Sequence, residues 1–207
     1  MNVMDEYGVM VAMRSIRSLC VYCGSREGVD PAYRQAAAAL GRGLAQRGIS
    51  LVYGAGGIGL MNVVADAVIA AGGVSIGVIP RHLAALELKH HGLTETVLVD
   101  TMHERKQLMF ERSDAFAVLP GGYGTLDELF EILTWKMLDL HTKPVFLVNA
   151  AGYWNPLVHL IDQVIGQGFA DPAARHLLRV VPSVDALFEA LARLTPARST
   201  AQQAHLA

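Results

Sequence analysis

Charge of either sign is scarce in this sequence. Charged residues make up 17% of the 207 residues, and the formal net charge is −2. Because no basic field runs along the chain, nucleic acid and membrane surfaces are poor candidates for partners, and we expect a small-molecule ligand. No apolar run is long enough to span a bilayer, since Asp66 and Arg81 interrupt the most apolar segment. The basic start of a signal peptide is also missing, so we expect a cytoplasmic protein.

Cysteine and aromatic residues are few as well. The two cysteines, Cys20 and Cys23, lie in a strand-like segment, where alternation places their side chains on opposite faces. The C-x-x-C of redox proteins opens a helix instead, so we interpret both residues as buried structural thiols. A hydrophobic content of 52% with only 7% aromatics is typical of Val/Ile/Leu strands and Ala-rich helices in an α/β fold.

Apolar strand-like runs alternate with helix-patterned segments along most of the chain. The predicted strands are 18–23, 50–53, 74–79, 95–99, 114–119, 144–148 and 178–181, and the predicted helices are 31–47, 59–71, 102–112, 125–139, 154–167 and 184–193. This alternation predicts a Rossmann-like, doubly wound, mostly parallel sheet with helices on both faces. We expect one catalytic domain over 17–194, a flexible N-terminal extension over 1–16 and a flexible tail over 195–207.

Ligands of such sheets bind at the carboxyl ends of the strands, where the strand order reverses. In an order such as 3-2-1-4-5, the loops after several strands would converge between the first and fourth strands. The loops that hold unusual residues there are Gly24 to Arg26, Gly54 to Gly59, Met102 to Lys106, and Pro120 to Glu128. Their convergence predicts a site.

Two of these loops are rich in glycine. The segment Gly54 to Gly59 fits G-x-G-x-x-G, but the next predicted strand ends in Ile79-Pro80-Arg81 and lacks the acidic residue of an NAD site. Without a Cβ, glycines let backbone N–H groups approach an anion. In the loop from Pro120 to Glu128, the glycines can form a nest of donors at a helix start, which favours a phosphate.

Glu128 has two interpretations at this point. Thr125-x-x-Glu128 fits a capping box, in which the glutamate would satisfy helix N–H groups without any catalysis. Its position directly after a glycine loop of the phosphate-binding type favours a functional role instead. Thr101-x-x-Glu104 has the same spacing without such a loop, and there we expect only a cap.

Arg105 and Lys106 open the helix that follows the fourth predicted strand. Cations are disfavoured at a helix N-terminus, so this placement indicates an anionic ligand, with an ordinary solvated face as the alternative. No H-E-x-x-H motif is present, and His90-His91 lacks partner ligands at metal spacing. We therefore expect neither a metal nor a cofactor.

Four blocks of the sequence together resemble the LONELY GUY (LOG) family of cytokinin riboside 5′-monophosphate phosphoribohydrolases. They are Cys23-Gly24-Ser25, Tyr53 to Met61, Met102-His103-Glu104-Arg105-Lys106, and the P-G-G-x-G-T-x-x-E loop from Pro120 to Glu128. The resemblance covers about residues 17 to 193. It implies a Rossmann-like fold, a homodimer and a site for adenosine-type monophosphates such as AMP and isopentenyladenosine monophosphate.

The resemblance also assigns roles to residues. Arg105 and Glu128 fall on the family's catalytic positions. Its nucleotide-binding positions correspond to Glu87, Lys106, Gly121, Gly122, Tyr123, Gly124, Thr125, Leu126, Asp127 and Thr134. To these the glycine loops add Gly24, Ser25, Gly56, Gly57, Gly59 and Met61 as candidate substrate-binding residues. Asp127 departs from the glutamate that is typical of plant members.

The expected activity is hydrolysis of the N-glycosidic bond to free base and ribose 5-phosphate. Such cleavage passes through an oxocarbenium-like ribose, which the Glu128 carboxylate can stabilise while it orients or deprotonates water. Arg105 keeps its proton and acts as a hydrogen-bonding and electrostatic group. A general purine nucleoside-monophosphate nucleosidase and a non-catalytic nucleotide sensor or carrier are the alternatives. The label "lysine decarboxylase", which such proteins often carry, finds no support in the residues.

Overall fold

The structure, a computed structural model, describes residues 2–4, 10–12, 16–84 and 89–194. Its strands are β1 Asn2–Met4, β2 Met10–Ala12, β3 Ser18–Tyr22, β4 Ser50–Tyr53, β5 Ser75–Pro80, β6 Glu95–Val99, β7 Ala115–Val118, β8 Val145–Val148 and β9 Arg179–Val181. Its α-helices are α1 Pro31–Gln46, α2 Gly59–Ala70, α3 Arg81–Ala84, α4 Met102–Glu111, α5 Tyr123–Met137, α6 Asn155–Gly166 and α7 Val184–Leu194. Short 3-10 helices cover Ala150–Gly152 and Pro172–His176.

Seven parallel strands form the main sheet in the order β6-β5-β4-β3-β7-β8-β9. This arrangement confirms the predicted Rossmann-like, doubly wound fold, and each predicted element lies within two residues of its observed bounds. Strands β1 and β2 pair with each other antiparallel, outside the main sheet.

The point of strand-order reversal differs from the expected one. The order 3-2-1-4-5 places it between the first and fourth strands of the sheet, whereas here it lies between β3 and β7, the first and fifth. The reason is that β6 pairs with β5 at the far edge and so extends the same half of the sheet. Arg105 and Lys106 lie near the start of α4, the helix after β6, and therefore reach the site from an edge strand.

Helices cover both faces of this sheet. Helices α1, α2 and α7 pack on one face, and α4, α5 and α6 pack on the other. Cys20 lies in β3 and Cys23 directly follows it, and alternation places them on opposite faces of the sheet. Cys20 packs in the core beneath α4, α5 and α6, and Cys23 packs in the core beneath α1, α2 and α7. Both thiols are buried and free, as expected. Among the helices of the described ranges, none combines the length and the apolar character that crossing a membrane requires.

Candidate active site

The reversal of strand order opens a crevice beside the first turn of α5. The loops after β3 and β7 meet there, because the Gly24 N–H donates to the carbonyl oxygen of Pro120 at 3.0 Å. Together with the rings of Tyr33 and Tyr153, the two loops line a cavity of about 450 Å³, which is the size of a small-molecule pocket. Of the predicted site residues, the lining contains Gly24, Ser25, Gly121, Gly122 and Tyr123.

The start of α2 is fastened to the loop after β3. The Met61 N–H donates to the Gly24 carbonyl at 3.4 Å. Gly59 has a φ of +60°, and a Cβ there would stand 2.2 Å from the carbonyl carbon of Ser25. Only glycine combines that backbone conformation with so close an approach. The predicted glycine loop thus packs against the loop after β3, with Gly56 resting on the Met61 side chain.

Helix α5 begins at Tyr123, two residues before its predicted start. Its N-cap is Gly122, whose extended backbone lets the chain enter the helix early and which offers no side-chain cap. Thr125 consequently lies inside the first turn with its side chain buried, and the capping-box interpretation of Glu128 is wrong. Because no side chain caps this turn, its N–H groups are available to an anion.

The other candidate cap behaves as expected. Thr101 and Glu104 form a complete capping box at the start of α4. The Glu104 N–H donates to Oγ1 of Thr101 at 3.1 Å, and the Glu104 carboxylate accepts from the Thr101 N–H at 3.3 Å. Identical spacing therefore produced a cap at one helix start and a buried glutamate at the other.

Arg105 of α4 and Glu128 of α5 face each other. Nη2 of Arg105 lies 3.9 Å from Oε1 of Glu128, and the two side chains are 11% and 12% exposed. The guanidinium is held from behind, since its Nε donates to the Val78 carbonyl and its Nη2 to the Gly54 carbonyl, each at 3.2 Å. A Cβ on Gly54 would stand 1.7 Å from Nη2, so this glycine makes room for the arginine.

The environment of Glu128 favours proton exchange near neutral pH. Burial raises its pKa from 4.5 to about 7, although the positive charge of Arg105 acts in the opposite direction. Asp127 and Glu131 raise the pKa further, and Lys106 lowers it. A carboxyl group with a pKa near the working pH can both accept and return a proton, as general acid–base catalysis requires.

Lys106 is a buried cation between the same two helices. Its Nζ lies 3.1 Å from Oδ2 of Asp127 and 3.0 Å from Oε1 of Glu131. Burial lowers the pKa of Lys106, but the hydrogen bonds to Glu131 and Asp127 outweigh that effect and raise the pKa above its ordinary value. The ammonium is therefore charged and already paired with two carboxylates.

Other predicted site residues lie apart from the crevice or outside the described residues. Thr134 lies toward the other end of α5, where its hydroxyl donates to the Phe130 carbonyl at 2.7 Å and lines an apolar groove. Leu126 packs against the core. Gly57 lies against the backbone of His90. Glu87 is outside the described residues.

Three residues that contribute to this region, Tyr33, Tyr153 and Glu131, were not predicted from the sequence. The Tyr153 hydroxyl donates to the Gly121 carbonyl at 2.6 Å, and its ring contacts Tyr33 edge to face. No local pattern joins these residues, which the fold alone brings together. Glu131 could have been found, because it lies four residues after Asp127 and therefore on the same helix face.

The fold and the crevice together define the class of protein to which this chain belongs. A doubly wound parallel sheet, with an uncapped helix start at its topological switch point, is the framework of Rossmann-like nucleotide-binding proteins.

Comparison with known proteins then gives the family. A family model described as "Possible lysine decarboxylase" matches residues 61–191. The chain is 45% identical over 187 residues to the "Probable cytokinin riboside 5′-monophosphate phosphoribohydrolase LOGL2" of Oryza sativa subsp. japonica, covering 90% of this chain and 77% of that protein. It is 45% identical over 180 residues to cytokinin riboside 5′-monophosphate phosphoribohydrolase LOG1 of Arabidopsis thaliana, covering 87% and 84%. The chain therefore belongs to the LOG family, as the sequence motifs predicted.

Solved structures share the fold at low identity. The molybdenum cofactor binding protein of Rippkaea orientalis superposes with a TM-score of 0.66 at 19% identity, covering 88% of this chain and 99% of that one. The molybdenum cofactor carrier protein of Chlamydomonas reinhardtii gives 0.65 at 19% identity, covering 86% and 96%. At these identities the likeness concerns the fold alone.

Proposed function

We propose that this protein hydrolyses the N-glycosidic bond of cytokinin riboside 5′-monophosphates, and of AMP, to free base and ribose 5-phosphate. Relatives that are 45% identical over most of the chain are named for this activity. The observation that carries the proposal is the buried Arg105–Glu128 pair, held beside an uncapped helix start. Such a pair can act at a ribose carbon whose phosphate is held by the backbone.

In the proposed reaction, the bond between C1′ and the base nitrogen breaks as the oxygen of a water molecule bonds to C1′. The Glu128 carboxylate stabilises the positive charge that develops on the ribose and takes a proton from the water. The departing base leaves with the electron pair of the broken bond and gains one proton, which balances the one taken from water. Arg105 lies beside Glu128 and, as a permanent cation, keeps part of the Glu128 population ionised.

The 5′-phosphate is expected to be essential. We assign it to the first-turn N–H groups of α5 and the neighbouring glycine loops, where a bare hydroxyl would lose the charge-assisted hydrogen bonds. Adenosine and isopentenyladenosine should therefore show kcat/KM values at least about 100-fold below those of their monophosphates. Chromatography of the released base, over a panel of nucleosides and monophosphates, measures this ratio.

The same panel separates the alternatives. Comparable kcat/KM for AMP and isopentenyladenosine monophosphate would favour a general purine-monophosphate nucleosidase. Binding of monophosphates without release of base would favour a sensor or carrier. Rates with bare nucleosides that match those of the monophosphates would overturn the phosphate assignment.

We also propose that the protein is a homodimer that buries the groove between α5 and α6. The groove is apolar, and it leaves several large side chains well exposed, namely Phe130, Met137, Leu160 and Val164. An apolar patch of this kind marks an interaction surface. Light scattering should give twice the chain mass of 22.3 kDa.

A pair of matched variants locates the interface. Leu160→Glu, within the groove, should give a monomer, because a carboxylate would be buried without a partner. Val74→Glu should stay dimeric, since Val74 is similarly exposed but precedes β5, which lies in the other half of the sheet. A monomeric wild-type protein at assay concentration would contradict the proposal.

A further inference from the structure

Two neighbouring residues of α4 contact three residues of α5. Arg105 faces Glu128, whereas Lys106 lies against Asp127 and Glu131, which flank Glu128 along the helix. The two Lys106 contacts are short, at 3.1 Å and 3.0 Å, and the Arg105 contact is long, at 3.9 Å. The firm attachment between the helices is thus made by Lys106, next to the looser pair that we assign to catalysis.

We propose that Lys106 is a positioning residue, which fastens α4 to α5 through Asp127 and Glu131 and thereby sets both the placement and the charge environment of Glu128. This inference rests on the proposed function, since it assigns Glu128 to the reaction. The family resemblance instead predicts that Lys106 and Asp127 bind the nucleotide, and the two roles have different measurable consequences.

The contacts of Lys106 favour the positioning role. Its side chain is only 9% exposed, and two carboxylates already accept hydrogen bonds from its ammonium. A phosphate placed against that ammonium would also meet the negative charges of Asp127 and Glu131, which would offset the attraction. Burying a lysine is tolerated when its charge is paired, as it is here.

The charges around Glu128 determine its pKa, which is the quantity that a Lys106 variant should change. The ionisable groups that act on Glu128 come from three elements: Arg105 and Lys106 of α4, Asp127 and Glu131 of α5, and Cys20 and Tyr22 of β3, with Cys23 just beyond its end. Burial keeps the pKa of both thiols and of the phenol well above the ordinary range, so these groups remain neutral. Without Lys106, one positive charge would be lost and two carboxylates would be left unpaired, and both changes favour the protonated form of Glu128.

The test is the pH dependence of base release from AMP. In the wild type, kcat/KM should rise with pH through the Glu128 pKa of about 7, because the reaction needs the carboxylate. Lys106→Met should move this acid limb upward by about 1 pH unit or more, which gives roughly a tenfold loss at about pH 6. Its KM for AMP should stay within about threefold of the wild-type value, because positioning acts on kcat.

Three further variants complete the design. Lys106→Arg should keep the limb near its wild-type position, because the cation and its reach to both carboxylates are retained. Asp127→Asn should move the limb downward, since it removes an exposed negative charge next to Glu128. Glu111→Gln is the matched control, because Glu111 lies on α4 and contacts Gln107 instead. It should leave the limb in place.

The outcomes separate this inference from the proposed function. If Lys106→Met raises KM for AMP more than about tenfold at every pH and leaves the limb unmoved, Lys106 is a nucleotide ligand and the inference is wrong. If the wild type releases no base, the proposed function fails. The inference then still stands or falls on the Glu128 carboxyl titration, followed by carbon-13 NMR in the wild type, in Lys106→Met, where the Glu128 pKa should rise, and in Lys106→Arg, where it should stay near the wild-type value.

Discussion

Glu128→Gln is expected to lower kcat by about 10²- to 10⁴-fold. The amide keeps the size of the side chain but can neither carry the negative charge that stabilises the oxocarbenium nor take a proton from water. Binding of AMP should persist, because the first-turn N–H groups of α5 are backbone groups that this change leaves in place. Steady-state base release and titration calorimetry with AMP measure the two quantities separately.

The same variant should change stability with a definite pH dependence. The folded-state pKa of Glu128, about 7, lies above the ordinary glutamate value of 4.5, so the contribution of Glu128 to stability is complete below about pH 4.5 and declines as the pH rises through 7. Relative to Glu128→Gln, the wild type should therefore lose up to about 3 kcal/mol between acid and mildly alkaline pH. Melting curves of both proteins across this range check the sign.

Glu104→Gln is the control for this pair of measurements. Glu104 belongs to the observed capping box of α4, where glutamine is also accepted, so kcat should remain close to that of the wild type. A Glu128→Gln protein with near-normal kcat would remove Glu128 from the mechanism.

Arg105→Lys is expected to lower kcat by about 10²- to 10³-fold. The guanidinium donates to the carbonyls of Val78 and Gly54 and still lies beside Glu128. A lysine ammonium is a single donor centre and cannot make both carbonyl contacts while it faces the carboxylate. Base release and AMP binding, measured on the same preparation, distinguish a catalytic loss from a binding loss.

Gly54→Ala tests the same geometry without changing the arginine. The new Cβ would occupy the place of Nη2 and displace the guanidinium, so kcat should fall in the same direction with little change in Tm, because the displaced group ends a flexible side chain. Gly166→Ala, at the end of α6, would add a Cβ in open space and should have no effect on kcat. Near-normal activity of both Arg105→Lys and Gly54→Ala would show that the anchoring of the guanidinium is dispensable.

The sequence predicted the elements of this fold well because its buried strands are short, continuous apolar runs between clear helices. The position of the crevice was predicted less well. Periodicity does not specify which edge a strand joins, and β6 extended the half of the sheet that already held β5. The early start of α5 was also missed. The glycine-rich sequence around Tyr123 and Gly124 predicts a loop, but the extended backbone of Gly122 lets the helix begin at Tyr123.

The proposed catalytic residues of the site were likewise predicted from the sequence, whereas the contacts that position Arg105 were not. Glu128 ends a recognisable glycine loop and Arg105 belongs to the block from Met102 to Lys106, so both were predicted from motifs, and the structure brings them together. The contacts that hold the Arg105 guanidinium, from the Val78 and Gly54 carbonyls, depend on the packing of α4 over strand ends that are distant in the chain. Backbone carbonyls carry no sequence signature, so these partners become visible only in three dimensions.

The burial of Cys20 and Cys23 has a practical consequence for following this protein in solution. The chain contains two cysteines, and both are enclosed in the core with thiol pKa values raised by burial. Thiol reagents need an accessible thiolate, so the native protein is expected to be almost inert to them. A single cysteine introduced at fully exposed Val29, next to the loop that lines the crevice, would be the one reactive position. A fluorescent dye attached there would report ligand entry, and neither Cys20 nor Cys23 would first have to be replaced.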